Sequence, residues 1–330
     1  MALQLNPSKI PIWKSESELQ LGLNAEAQSL VEVSNAQERL INLLFQGIAE
    51  DQVDLMGSTV GLSETETQDL IERLRPSLLE KSETSTKTSS LDVRFAEIIR
   101  IGFNTNQLPE SILGVRAKTL IQIQTLDRTG LLLFRALIEA GFRNFETQDF
   151  GTVGRDDCGE LGYSDSSLGV SRLTAARQLL HGKVNDVVIC HPTKRKLKPL
   201  VLLSAMHEVA PMIYRPLKES HLAIEFGIET LRITPMISPG RTPCLSCRAL
   251  WESEQNADWA STAIQLASRN DHLDDAAALL LATGIACRTI CQHLEDSVFT
   301  GGFEVDLKTR AVRNYQWQFH PSCGCKSLRR

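Results

Sequence analysis

Thr119-Leu120-Ile121-Gln122-Ile123-Gln124-Thr125-Leu126-Asp127-Arg128-Thr129-Gly130, continuing through Leu131 to Ala140, is the stretch that decides the fold. Thr119 to Gln124 reads as a strand and Gly130 to Ala140 as a helix, joined by a short turn. The pattern then repeats as strand Phe145 to Asp149, helix Leu173 to Leu180, strand Asp186 to Cys190, helix Leu200 to Val209 and strand Met212 to Tyr214. Such alternation predicts an α/β fold with a Rossmann-like, mainly parallel sheet and helices on both faces.

Beyond this region, Phe303 to Leu307 and Val312 to Phe319 read as a hairpin that delivers the chain to His320-Pro321-Ser322-Cys323-Gly324-Cys325. An earlier thiol pair, Cys244-Leu245-Ser246-Cys247, follows Pro239-Gly240. Zinc prefers tetrahedral sulfur, two tight turns can each present two thiolates, and Gly324 permits the sharper of the two turns. Cys244, Cys247, Cys323 and Cys325 are therefore expected to form a structural zinc site, with no coordination position left for chemistry. A lone C-x-x-C would equally suit a redox pair. Cys287, Cys291 and nearby His293 form a competing ligand set, read instead as buried. Cys158 and Cys190 are isolated.

Upstream, residues 81–90 (KSETSTKTSS) contain no apolar side chain that could offset the entropy of ordering, and mark a linker over 81–92. It separates a domain of residues 1–80 from one of residues 93–330. In the first, Ile10 to Trp13, Leu19 to Leu23 and Ser29 to Val33 read as short strands. Helices follow from Ser34 and Ser63, each opened by a capping box with Gln37 or Glu66, and a shorter one is expected over Asp51 to Met56. Three strands and about three helices suit a small winged-helix-like α+β domain.

Lys+Arg 35 against Asp+Glu 40 gives a net charge of -5, which offers nothing to a nucleic acid or an anionic membrane. The N-terminus lacks the basic and apolar regions of a signal peptide. The longest low-charge run, Ala276 to Cys287, stops at Arg288, too short to span a bilayer. A cytoplasmic protein is expected, with no nucleic-acid and no membrane partner. In that reducing compartment eight cysteines serve metal binding, chemistry or burial rather than disulfides.

The alternating domain, taken with Pro239 to Cys247 and the ending His320 to Cys325, resembles the ThiF/E1-like adenylating superfamily. In particular it resembles the branch of leader-peptide-binding partner proteins in thiazole/oxazole-modified microcin (TOMM) biosynthesis. The resemblance covers about residues 95 to 330, and implies a ThiF/E1-type domain with zinc knuckles behind a winged-helix peptide-recognition element, commonly as a homodimer. Typical members use ATP and magnesium to activate the C-terminal carboxylate of a protein or peptide as an acyl-adenylate.

In such a domain the first strand ends in G-x-G-x-x-G, whose glycines let phosphates approach the backbone at a helix N-terminus. Here only Gly130 matches. Thr125 and Asp127 replace the two phosphate-facing glycines, and Asp127 adds like-charge repulsion, its simpler role being to cap the next helix. Asp149 matches the acidic residue that binds ribose hydroxyls, and also reads as a strand-end turn residue. Arg172 corresponds to a basic position of relatives, and also reads as a surface arginine at a helix start. Val153 to Asp157 and His191-Pro192-Thr193 match the family's other nucleotide segments poorly. Gly130, Asp149 and Arg172 are the cofactor-site candidates; no catalytic residue is nominated.

Two functions follow. The preferred one is a degenerate E1-like scaffold that binds a peptide or small protein partner in peptide modification and presents it to a modifying enzyme. An extended peptide would add to the strand around Leu30, Val31 and Glu32, beside the helix beginning at Ser63. The alternative is an ATP-dependent adenylyltransferase with an unusual phosphate loop.

Overall fold

Ser34 and Ser63 each start a helix by accepting a backbone N–H three residues on, while Gln37 and Glu66 accept the serine N–H in return. Both expected capping boxes are therefore formed. The structure, a computed structural model, describes residues 2–23, 27–79, 95–180, 186–193, 197–269, 271–295 and 301–328. Two compact units comprise residues 1–114 and 115–330.

In the first unit β1 (Ala2–Leu3) pairs with β5 (Ile48–Ala49), and β2 (Pro11–Trp13), β3 (Leu19–Leu21) and β4 (Gln28–Leu30) form an antiparallel sheet in that order. Helices α1 (Asn35–Gln46), α2 (Val53–Val60) and α3 (Glu64–Leu74) supply Leu40, Leu44 and Leu70 to a core shared with Leu5, Leu19 and Leu30. The helical stripe expected from Ser34 and Ser63 is the face that packs. Helix α4 (Phe95–Thr105) also belongs to this unit, tied by Asn6, whose amide donates to the Gly102 carbonyl at 2.8 Å. The compact unit thus reaches beyond the residue-80 boundary read from composition. The 81–92 linker lies outside the described residues. The division between the two units, after Gly114, falls within helix α5 (Pro109–Lys118).

The second unit is built on an eight-stranded sheet. Strands β6 (Leu120–Ile123), β7 (Asn144–Thr147), β8 (Val188–Cys190), β9 (Leu200–Met206) and β10 (His221–Phe226) are parallel, in the order β10-β9-β6-β7-β8. Antiparallel β11 (Thr230–Ile233), β12 (Gly301–Asp306) and β13 (Val312–Gln316) extend it beyond β10. Around it lie α6 (Arg128–Glu139), α7 (Arg172–Leu180), α8 (Pro211–Tyr214), α9 (Leu245–Gln255), α10 (Trp259–Ala267) and α11 (Ala276–Leu294). The chain leaves β6 for β7 and β8 on one side, then returns to place β9 and β10 on the other, so the strand order reverses between β6 and β9.

Alternation along the central strands splits two cores. Leu202, Leu222 and Ile224 face α6 and α11, whereas Val201, Leu203 and Ala223 face Tyr214, Leu245 and Trp317. This two-sided burial explains the main misreading. Leu200 to Val209, expected as a helix, is strand β9 as far as Met206, because a strand covered on both faces is apolar throughout and carries no period-2 signal. Met212 to Tyr214, expected as a strand, lies in the short helix α8, whose first residue is Pro211, well suited to that position. β10 and β11 were not anticipated. The hairpin of β12 and β13 was, with every boundary within three residues.

Helix α11 continues through Arg288 to Leu294, so the low-charge run does not end the helix. Among the described residues it is the one helix long and apolar enough to cross a membrane by length and composition. Here Ala278, Leu279, Ala282, Ala286 and Ile290 are buried in the sheet core.

Candidate metal centre and nucleotide edge

Cys244 is the residue before α9 and Cys247 lies in its first turn, while Cys323 and Cys325 follow the hairpin. Their sulfurs lie within 4.8 Å of one another, with Cys244–Cys247 at 3.9 Å, Cys244–Cys323 at 3.7 Å and Cys247–Cys325 at 3.4 Å. Four ligands at about 2.3 Å from a tetrahedral centre would be spaced by roughly 3.8 Å, so the donor set fits one ion. None of the four is in a disulfide. Burial pushes the Cys244 thiol up to about 11, and burial with the neighbouring sulfurs pushes Cys325 higher. For Cys247 burial is outweighed by backbone groups of His320 and Cys244 and by the adjacent thiols, so its pKa falls. Sulfurs this crowded become thiolates together only around a cation. Of the competing set, Cys291 is buried and Cys287 half-buried on α11.

At the carboxyl ends of the parallel strands, the sequence candidates meet in part. Asp149 follows β7 and Arg172 begins α7, with their charged groups 3.4 Å apart. Asp149 Oδ2 accepts the Leu126 N–H and Oδ1 accepts the Gly151 N–H, both at 2.7 Å. Arg172 also pairs with buried Asp157 at 2.8 Å; burial works to lower its pKa, but the two carboxylates win and raise it. Asp127 caps α6 by accepting the Gly130 N–H at 2.9 Å, and the Thr125 hydroxyl donates to its other oxygen at 3.0 Å. Burial raises the Asp127 pKa. Gly130 is a packing glycine, since a Cβ there would stand 1.9 Å from the Thr125 carbonyl oxygen. Thr125 and Asp127 therefore satisfy each other and the helix start.

In the N-terminal unit the Leu30 side chain is buried in the core, Val31 is 58% exposed and Glu32 turns the chain at φ 57°. The Val31 carbonyl already accepts a hydrogen bond from the Arg73 guanidinium of α3.

The sequence did not announce a cluster of charges beside the sulfur site. Arg248 of α9 pairs with Glu208 and Glu225, and Arg232 with Glu208 and Glu304. Burial, then the Glu225 charge, raise Glu208 to about 7. The members are scattered over residues 208–304 on β10, β11, β12, α9 and a loop, so no local motif could have exposed them.

No protein-family profile matches the sequence, and no curated protein matches it significantly. Solved structures do match. The crystal structure of E. coli MccB with succinimide has a TM-score of 0.67 at 12% identity, covering 100% of both chains. The chain has the fold of MccB. A structure of MccB described as a microcin C7 biosynthetic enzyme, in complex with N-formylated MccA, gives a TM-score of 0.66 at 10% identity, with 99% of this chain and 100% of that chain covered. A heterocyclase in complex with substrate and cofactor gives 0.66 at 13% identity, covering 98% of this chain but 39% of its own. The MccB fold accommodates the whole chain, both units included, whereas the heterocyclase carries further parts.

Proposed function

We propose that the protein is a zinc-braced, degenerate E1-like scaffold that binds a peptide or small protein in RiPP/TOMM-type peptide modification and presents it to a modifying enzyme. The observation that carries this reading is the closed nucleotide edge. Both oxygens of Asp149 are engaged by backbone N–H groups, and Asp127 stands as a cap where phosphates would need open backbone. Zinc suits the four sulfurs and would hold α9 to the end of the hairpin. The likeness to MccB bound to MccA supports a peptide partner. We place recognition in the N-terminal unit, which we read as winged-helix-like, with Val31 and Glu32 at its exposed rim. A cytoplasmic homodimer is the form this reading expects.

A second reading, an ATP-dependent adenylyltransferase, is favoured by one feature. Asp149 and Arg172 do meet at the carboxyl edge of the sheet, and MccB has been crystallised with ATP. ATP–pyrophosphate exchange in the presence of candidate peptides, with calorimetry of ATP binding to the metal-loaded protein, separates the two. The scaffold reading expects neither exchange nor binding; exchange abolished by Asp149→Ala would replace it with the enzyme.

A further inference from the structure

Between α9 and the end of the hairpin lies a cavity of about 400 Å³, open to solvent. Its walls are aromatic: Trp251 from α9, and Tyr315 and Trp317 from β13 and the segment after it, the last two with ring centroids 6.0 Å apart. Gly302, opposite Tyr315 on β12, leaves room for that ring, since a Cβ there would come within 2.6 Å of it. Trp251 is fixed from behind, its indole N–H donating to the Gln318 carbonyl at 3.3 Å and its ring meeting His320 edge-on at 4.6 Å.

The charges select the occupant. Arg248 lines the cavity and by itself would suggest an anion, but its terminal nitrogens are divided between Glu208 and Glu225, and its Nε, which makes no hydrogen bond, is covered and out of a ligand's reach. Glu252, also lining the cavity, makes no ion pair among the described residues, and its charge adds to the field that opposes ionisation of Glu208. Four carboxylates (Glu208, Glu225, Glu252 and Glu304) thus face two guanidiniums (Arg232 and Arg248). The Tyr315 hydroxyl and Trp317 indole N–H are covered and make no hydrogen bond of ordinary geometry, so they do not choose the ligand. The Arg248 guanidinium already lies over the Trp317 ring, 5.9 Å from its centroid, so what the cavity offers a further cation is the faces of Trp251 and Tyr315 and the carboxylate of Glu252, the combination that attracts organic cations.

We infer that this cavity is a binding site for a guanidinium or ammonium group, of the kind carried by an arginine or lysine side chain, held against Trp251 and Tyr315 with Glu252 as its counter-charge. The site stands whether or not the N-terminal unit captures a peptide. Because Trp251 is on the helix that Cys244 and Cys247 open, and Trp317 lies on the chain leading to Cys323, the sulfur cluster fixes its two walls.

The test titrates three probes into full-length, metal-loaded protein: acetyl-Ala-Arg-Ala-amide, its neutral counterpart with citrulline, and agmatine. Indole ¹⁵N–¹H resonances report binding, with Trp251→Phe identifying the signal of interest. The arginine peptide is expected to shift the Trp251 resonance and to bind roughly ten-fold tighter than the citrulline peptide. Glu252→Gln should erase that preference while leaving the melting temperature unchanged. Agmatine binding as tightly as the peptide would assign the site to the free cation, and weaker agmatine binding to a residue within a chain; both support the site. Equal binding of the citrulline peptide, a preference surviving in Glu252→Gln, or no shift at Trp251 with any cation would overturn it.

Discussion

At the sulfur cluster, four donors held by two distant segments converge within 4.8 Å on the space between them. At the carboxyl edge of the parallel strands, Asp149, Asp127, Thr125 and Arg172 are instead directed at protein groups. Both regions carry residues a family resemblance would single out. The difference is that thiols crowded by burial cannot ionise side by side without a cation, whereas the carboxylates at the strand ends already have N–H and guanidinium partners. Convergence without internal satisfaction points to a ligand; convergence with it points to structure.

The largest effect should come from the sulfur site. Metal analysis of the purified protein should find about one zinc per chain. Cys247→Ser or Cys323→Ser should abolish it and destabilise the second unit by about 4 kcal/mol, lowering its melting temperature by roughly 10 °C. Full stability retained without metal would mean the cluster is only a buried thiol group, and the contrast would collapse.

Next, Gly130→Ala forces a Cβ to 1.9 Å from the Thr125 carbonyl and should cost about 3 kcal/mol in denaturant unfolding. A neutral outcome would show that the β6–α6 turn can open, as a phosphate loop must.

Asp149→Ala leaves the Leu126 and Gly151 N–H groups without their acceptor and should cost about 2 kcal/mol, measured the same way. Unchanged stability with loss of ATP binding would move this edge from structure to ligand site.

The smallest effect is a pH dependence in the charge network beside the sulfur site. The folded pKa of Glu208 is raised from 4.5 to about 7, so the folded state retains a proton that the unfolded state has released. Stability should therefore fall as pH rises through the window from 4.5 to about 7, by on the order of 1–2 kcal/mol. Glu208→Gln should flatten that slope in melting curves taken across the window.

Some elements could be read because their signals are local. The capping boxes at Ser34 and Ser63, the β6–α6 turn and the hairpin before Cys323 depend on residues a few positions apart, and each appears where expected. β9 could not be read, because burial on both faces removes the alternation that marks a strand. Leu30 lies on β4, an edge strand of its sheet, but the sequence could not show that its side chain would turn into the core.

The same division applies to the sites. Two close cysteine pairs determined by themselves that a metal centre was to be expected, because thiolate spacing is a chain-local constraint on coordination. Thr125 and Asp127, where the resemblance would have two glycines, likewise gave the expectation that the backbone would not cradle a phosphate in the usual way. Only tertiary structure decided that Asp149 would be occupied by Leu126 and Gly151, that Arg248 would be divided between Glu208 and Glu225, and that Glu252 would be left beside three aromatic rings. Partnership between charges depends on which distant segments the sheet brings together, and β10, β11 and the far end of α9 meet the hairpin only after the chain has folded.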